Sequence, residues 1–250
     1  MKKIILGAVA ALILFLVLLL ALAPAKVITP WVSDAVPGLH LNNVEGSIWS
    51  AKIDRGQFRN FTLDNIELDV NPLSLVVGKL NAGVVVNDPN INIKADTVLS
   101  AQHYQLENVR FDIDTSYVIS KIKTPLQGLS GRIEGALSEL DFENNHLKTL
   151  EGQGEWRNAV IQYPNNNLEL GDINFKLSKM SNQGNGAKVD IISNQGVLDL
   201  KGYIEIGLDK QFNMNIHTTT ELPANIKNWL TQWGRQQGDR IYLEWRGRLP

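Results

Sequence analysis

The pattern of apolar and polar positions divides the chain into an uncharged N-terminal run and a long alternating remainder. Residues 4–23 contain no charged or polar side chain. A helix of this length rises about 1.5 Å per residue and matches the roughly 30 Å core of a bilayer. From Leu39 onward, short alternating runs are separated by Asn, Asp, Gly and Pro, which is typical of β-strands and turns. The pattern therefore predicts one transmembrane helix followed by a mainly β domain.

Two interpretations of the N-terminal run are open. Lys2 and Lys3 are the only charges before Lys26, so an uncleaved anchor at 4–23 leaves residues 1–3 in the cytoplasm and exports the rest. A cleaved signal peptide is the alternative, because residues 21–23 read ALA, a small-x-small cleavage pattern. The run exceeds the usual apolar core of about 7–15 residues, and a proline follows it directly. We expect the anchor, a juxtamembrane linker at 24–38 and a β-rich domain at 39–250.

Three segments share a shift in their apolar alternation. They read LDNIELDV at 63–70, LENVRFDI at 106–113 and LGDINFKL at 170–177. In each, two turn-tolerant residues follow the leucine, and the apolar positions then change phase. A slip of one residue would turn every later side chain to the other face unless a bulge absorbs it. The pattern predicts a bulge or tight turn at residues 64–65, 107–108 and 171–172.

A tryptophan motif precedes two of these segments. It reads EGSIWSAKI at 45–53 and EGQGEWRNAVI at 151–161, and both tryptophans stand fourteen positions before the leucine of the shifted segment. This spacing predicts an extended, curved antiparallel sheet containing a repeated β-unit, near 45–70 and 152–177. The residues expected to mark the repeat are Gly46, Trp49, Gly154 and Trp156. These tryptophans are expected to be buried anchors, with an aromatic binding patch as the alternative.

Helical periodicity is clearest at residues 223–237, which we expect to form a short C-terminal amphipathic helix. Its apolar residues recur at i, i+3, i+4 and i+7, namely Ile226, Trp229, Leu230 and Trp233. This face either covers the chain's own sheet or presents Trp229 and Trp233 to a partner. Residues 72–80 fit either a short turn of helix or a strand, and residues 241–249 are expected to form the last strand.

The composition and the absence of known motifs argue against most catalytic, metal-binding and nucleic-acid-binding functions. There is no cysteine and there are four scattered histidines, and none of the nucleophile, phosphate-loop or zinc-protease motifs occurs. The acidic residues alternate with apolar ones, as on the solvated face of a sheet. A net charge of −2 and a pI near 6.1 give no electrostatic case for nucleic acid. We expect no catalytic, cofactor or metal site.

The order of these segments resembles the protein N family of the bacterial type II secretion system. An anchor, EGSIWSAKI, NPLSLVVGKL, TPLQGLSGRIEGALSEL and LEGQGEWRNAVIQYP follow one another along nearly the whole chain. The resemblance implies a single-pass protein of the bacterial inner membrane, with its N-terminus cytoplasmic and its C-terminal domain periplasmic. It implies a non-enzymatic accessory role in protein export, through contacts with other secretion components.

The sequence is also similar to the AsmA-like superfamily, whose members have extended curved β-sheets with an apolar inner surface. That similarity implies an alternative function in binding lipid or another amphiphile. The oligomeric state stays open, because an exposed sheet edge can pair with a second chain.

Overall fold

The computed structural model describes residues 22–122, 128–163, 166–181 and 184–248. They form two units, one up to Pro89 and one from Asn90. Both are antiparallel β-sheets, so the predicted mainly β architecture is confirmed. The predicted anchor lies almost wholly outside the described residues. Among the residues described, no helix is long and apolar enough to cross a membrane.

The first unit is a four-stranded meander preceded by two short helical segments. A 3₁₀ turn, Ala25–Val27, leads into helix α1, Thr29–Ala35. The strands pair in chain order and are β1 Leu39–Gly46, β2 Ser50–Phe58, β3 Phe61–Asn71 and β4 Leu80–Asn87. Between β3 and β4 lies a second 3₁₀ turn, Pro72–Val77, so the helical alternative for this segment is the one observed.

The second unit is a ten-stranded antiparallel sheet. Its order follows the chain from β5 to β12, after which β14 pairs with β12 and β13 forms the edge. The strands are β5 Ile91–Leu99, β6 His103–Asp114, β7 Gly128–Glu143, β8 His146–Tyr163, β9 Asn166–Lys179, β10 Gly186–Asn194, β11 Lys201–Gly207, β12 Gln211–Thr219, β13 Arg235–Gln237 and β14 Arg240–Arg248. Helix α2, Thr115–Lys121, follows β6, and helix α3, Ala224–Leu230, follows β12.

The C-terminal helix is shorter than the predicted span of 223–237. Helix α3 ends at Leu230, and a turn carries the chain through Trp233 and Gly234 into edge strand β13. Thr231 is a weak helix former, and its hydroxyl bonds back to the carbonyls of Lys227 and Asn228 at 3.0 and 3.1 Å. The chain then forms strand β13, which pairs with β14, instead of continuing the helix. Trp233 therefore does not lie on the helix.

The three predicted phase shifts coincide with left-handed backbone. Asn65 and Asn108 have φ of 52°, and Gly171 has φ of 71°. On β6 the register against β5 slips by one residue at this point. Asparagine tolerates this conformation because its side chain bonds locally. The Nδ2 of Asn108 donates to Asp96 on the neighbouring strand at 3.0 Å. The predicted irregularity is confirmed as a register shift near Asn108 and near Gly171. At Asn65 the backbone is left-handed, but β3 keeps its register with β2.

The near-alternate glycines of the strands lie beneath large apolar side chains. A Cβ added at Gly135 would lie 2.5 Å from Cζ of Phe111, and one at Gly154 would lie 2.5 Å from Cζ of Phe175. Each pair faces across two neighbouring strands. The glycines thus let aromatic rings lie flat on the adjacent strand, which is close backbone approach of the kind expected of glycine in strands.

Each unit has its own small core. In the first unit, the 3₁₀ residue Ala25 closes over three buried sheet residues, Val44, Ala51 and Ile53. In the second unit, Leu230 of helix α3 packs over the sheet residues Ala159, Leu170 and Ile241, and the cluster also contains Leu168, Ile173, Leu198 and Leu200. Helix α3 therefore covers one end of its sheet's apolar face.

Candidate functional site

The first tryptophan motif forms the turn between β1 and β2. Trp49 lies in the turn itself, half-buried, and its carbonyl accepts a 2.7 Å bond from the amide of Val70. Gly46 ends β1 with φ of 86°, and a Cβ there would lie 2.3 Å from the carbonyl oxygen of Ser50. Glycine is therefore needed for the path of the turn.

The second motif lies in the middle of strand β8. Trp156 is opposite Ile173 on β9 and packs against the core beneath helix α3. Its indole Nε1 donates to the carbonyl of Ser130 at 3.2 Å. The fourteen-residue spacing therefore does not place Trp49 and Trp156 at the same position of a hairpin, and the repeated unit stays a prediction.

The two tryptophans expected to bind a partner occupy different environments. Trp229, in helix α3, packs against the core of the second unit. Trp233, beyond the helix, is 58% exposed. Its ring meets that of Trp245 on β14 edge to face, with centroids 6.1 Å apart. Trp245 is itself 53% exposed. Sequence reasoning missed Trp245, although its alternation with Ile241 and Leu243 places it on the apolar face.

This tryptophan pair ends a row of apolar side chains that crosses five strands in register. The row, which we call the apolar row, consists of Leu177, Val189, Ile204, Met214 and Trp245. At about 4.8 Å between strands, it is roughly 19 Å long. Its first four members are half-buried, whereas Ile173 and Ile241 on the same face are buried under helix α3. The row is thus the part of this face that is not fully covered.

Polar clusters among the described residues have structural explanations. Arg240 bonds Asp199 through Nη1 and the Asp199 carbonyl through Nη2 at 2.7 Å, and its Nε donates to Nδ1 of His217 at 2.9 Å. Burial, and then the positive charge of Arg240, lower the pKa of His217 below its ordinary value. The hydrogen bond from Arg240 lowers the pKa of Asp199. The guanidinium thereby ties a loop to strands β12 and β14, and its donors are occupied.

Several other charged side chains form cross-strand pairs on exposed surfaces. Arg55 meets Asp64 at 2.7 Å, and Arg157 meets Glu134 at 3.0 Å. Across the described parts of the chain, no group of three or more His, Asp or Glu residues is placed to hold a metal ion. What the arrangement can do is present apolar and aromatic surface, and we take the apolar row with Trp233 as the candidate site.

An open groove lies at one end of the same unit. Its lining combines apolar side chains, among them Met180, Leu208 and Phe212, with the arginines Arg246 and Arg248. Glu205 and Asp209 also line it, so its charge is mixed.

Comparison with known proteins identifies the family. The family model described as type II secretion system protein N matches residues 37–243. A type II secretion system protein N of Pectobacterium carotovorum subsp. carotovorum is 23% identical over 256 residues, covering 100% of this chain and 99% of the relative. One of Aeromonas hydrophila is 21% identical and is covered completely, as is this chain. No solved structure matches the chain. The comparisons do not extend the likeness to the AsmA-like superfamily. Since the family model covers well over half of the sequence, the chain belongs to the type II secretion system protein N family.

Proposed function

We propose that the chain is an inner-membrane-anchored, non-enzymatic accessory component of the type II secretion system, acting in protein export through periplasmic contacts with other components. The observation that carries this proposal is the exposed Trp233–Trp245 pair at the end of the apolar row. Interfaces concentrate their binding energy in aromatic residues with apolar surroundings. Family membership supplies the cellular context for such a contact.

In-cell photo-crosslinking tests this surface directly. Successive residues of a strand point to opposite faces, so a photo-reactive residue at 245 has a matched control at 244. We expect crosslinks from position 245, identified by mass spectrometry as another secretion component, and far fewer from position 244. Equal yields from both positions would contradict a contact made through the apolar row.

A pair of tryptophan substitutions separates binding from stability. Trp233→Ala removes an exposed ring, so the melting temperature should stay within about 2–4 °C of the wild type, as for losses near 1 kcal/mol in a domain of this size. Crosslinking from position 245 and secretion should still fall. Trp229→Ala is the control, because that ring packs on the core and its loss should lower the melting temperature. If Trp233→Ala melts far lower and loses crosslinks only in proportion to abundance, the partner-binding role is wrong.

The proposed topology has a separate test. Residues 1–3 are cytoplasmic, residues 4–23 span the membrane, and residues 39–250 are periplasmic after the linker at 24–38. A C-terminal alkaline phosphatase fusion should be active, and a fusion to green fluorescent protein exported by the same route should be dark. Recovery of a soluble form beginning near Pro24 or Lys26 would indicate a cleaved signal peptide instead.

A second candidate function is the binding of a lipid or other amphiphile in an AsmA-like manner. The open groove favours it, because Met180 and Phe212 offer apolar surface beside the guanidinium groups of Arg246 and Arg248, which suit an anionic headgroup. Organic-solvent extraction of the purified protein should then release stoichiometric phospholipid, and Arg246→Ala with Arg248→Ala should reduce it. Extracts without phospholipid would remove this candidate.

A further inference from the structure

Some of the most exposed apolar side chains of the first unit lie together in the 3₁₀ turn Pro72–Val77, which we call the apolar turn. Leu73 is 75% exposed, Val76 is 84% exposed and Val77 is 73% exposed. Residues three apart eclipse one another in a 3₁₀ helix, so Leu73 and Val76 project side by side. A cluster of this kind on a soluble surface marks contact with an apolar partner.

The apolar turn is held rigidly by polar residues around it. Asn71 Oδ1 accepts from the amide of Leu73 at 3.0 Å. Ser74 is buried; its hydroxyl donates to the carbonyl of Asn71 at 2.7 Å and accepts from the amide of Asn81 at 3.0 Å. Gly78 closes the turn in the left-handed conformation, with φ of 72°. The exposed side chains are thus presented by a fixed backbone, and little ordering entropy opposes binding.

The apolar turn lies at the end of the sheet where the N-terminal segment enters the unit. In an antiparallel meander the β1–β2 turn and the β3–β4 connection fall at the same end. Pro24 forms a β-bridge with Ser47 in the β1–β2 turn. The carbonyl of Ala23 accepts from the amide of Ile48 at 3.0 Å. The chain that arrives from the predicted anchor is therefore fixed to this end.

The position of Ala23 decides what the apolar turn meets. The uncharged run of residues 4–23 ends at this residue, which is itself bonded to the sheet, so no slack separates the predicted span from the unit. One residue reaches about 3.6 Å at most, so this end of the sheet must lie at the bilayer surface. The exposed Lys26 and Lys79 nearby suit anionic lipid headgroups.

We propose that the apolar turn inserts Leu73, Val76 and Val77 into the periplasmic surface of the same bilayer, as a second membrane contact beside the anchor. The proposal rests on the anchor in the proposed function. A single flexible attachment would let the unit rotate about the membrane normal and tilt. Two attachments at one end of the sheet fix its strands relative to the bilayer.

Single-cysteine labelling of the full chain tests this contact, because the sequence has no cysteine. Val76→Cys carries a polarity-sensitive fluorophore, and the protein is reconstituted alone in liposomes of phosphatidylethanolamine and phosphatidylglycerol. Gln57→Cys is the matched control, since it is exposed near the opposite end of β2. Leu22→Cys reports the anchor. Nitroxide-bearing lipids should remove most of the emission at positions 76 and 22 and little at position 57. Adding Leu73→Asp and Val77→Asp should abolish quenching at 76 and leave it at 22.

Two outcomes would overturn the proposal in distinguishable ways. If position 22 is quenched and position 76 behaves like position 57, the anchor stands and the apolar turn does not touch lipid. Protection of position 76 only when other secretion proteins are present would then assign it a protein partner. If neither position 22 nor position 76 is quenched, the proposed anchor fails together with the second contact.

Discussion

In the β2–β3 hairpin Ile53 lies opposite Ile66, whereas in the β8–β9 hairpin Trp156 lies opposite Ile173. Ile66 and Ile173 hold the same place, three residues after the leucine of their shifted segments. Trp156 therefore has the structural position of Ile53, and Trp49 lies four residues earlier, in the turn. The cross-strand register, rather than the separation along the chain, decides which side chain enters the core.

The glycines of the two tryptophan motifs differ in the same way. Gly46 is required by the backbone, because its φ is 86° and the nearest obstacle to a Cβ is the carbonyl oxygen of Ser50. Gly154 has ordinary strand geometry, and a Cβ there would meet the ring of Phe175 at 2.5 Å and the carbonyl oxygen of Glu134 at 2.7 Å. Similar sequence motifs thus serve a turn in one copy and close packing of a ring and a strand in the other.

The largest difference should appear when the tryptophans are truncated. Trp156→Ala removes a half-buried ring that packs against the core beneath helix α3 and a hydrogen bond to Ser130. It should cost about 3 kcal/mol, the lower end of the range for core aromatic truncations. Trp49→Ala, in a turn, should cost about 1 kcal/mol, a typical single-substitution value. Urea unfolding of the full chain in detergent measures both. Equal costs would mean that the two rings serve equivalent structural roles despite their registers.

Substitution of either glycine should lower the free energy of unfolding by less than Trp156→Ala does. Only the loss at Gly154 should be reduced by a second-site change. Gly154→Ala should cost about 2 kcal/mol through overpacking against Phe175. Gly46→Ala should cost a similar amount, about 1–2 kcal/mol, through its left-handed conformation.

The second-site change Phe175→Leu distinguishes the two mechanisms. It removes the ring contact at 154 but leaves the contact with the carbonyl oxygen of Glu134. The double variant should therefore recover part of the loss and be more stable than the sum of the two single losses predicts. No side-chain truncation relieves a clash with the backbone oxygen of Ser50, so Gly46→Ala should have no such suppressor. Strict additivity of Gly154→Ala and Phe175→Leu would refute the packing explanation for Gly154.

Exchanging the residue types at positions 65 and 171 should affect stability unequally. Asn65 and Gly171 are both left-handed and lie in equivalent shifted segments. Asn65→Gly should change stability by only a few tenths of a kcal/mol, because glycine adopts this conformation freely. Gly171→Asn should cost about 1 kcal/mol or more, because its Cβ would lie 2.8 Å from Cα of Gly196. Melting temperatures check both predictions. An unchanged melting temperature for Gly171→Asn would show that the loop around Gly196 moves to make room for the side chain.

The strands and their interruptions were predictable because both depend on local chemistry. A change of apolar phase requires a local irregularity of the strand, and asparagine or glycine at the change marks the left-handed residue, as at Asn65, Asn108 and Gly171. The last strand follows from similar signals. These features involve neighbours along the chain, so one sequence is sufficient to find them.

One missed feature is local, and the others depend on partners distant in sequence. Helix α2 begins at an Asp114 cap, whose Oδ1 accepts from the amide of Ser116 at 2.8 Å, and this N-cap signal was overlooked. The early end of helix α3 follows from pairing of β13 with β14, which no local pattern reveals. The meeting of Trp233 with Trp245 likewise depends on how the edge strands return. The sequence therefore predicted Trp233 as part of the candidate site, but not its partner Trp245.

The smallest effect should come from the charged pair beside the left-handed Asn65. A hydrogen bond from the Arg55 guanidinium holds the pKa of Asp64 below its ordinary value. A carboxyl whose pKa is lower in the folded state stabilises the fold above its unfolded pKa, near 4, and that contribution is lost as the pH falls through the folded pKa. Because both side chains are partly exposed, solvent screening keeps the contribution small.

Arg55→Met should therefore lower the urea midpoint slightly at pH 7 and by less at a pH below the folded-state pKa of Asp64, where the carboxyl is protonated. Arg157→Met is the matched control in the second hairpin, where the guanidinium lies beside the bulge at Asn158 and pairs with Glu134 and Glu155 instead. A loss from Arg55→Met that is equal at both pH values would assign the effect to packing of the arginine stem on β2 rather than to the ion pair. In that case Arg55, like Trp156, would stabilise its hairpin through apolar contact area rather than through its charge.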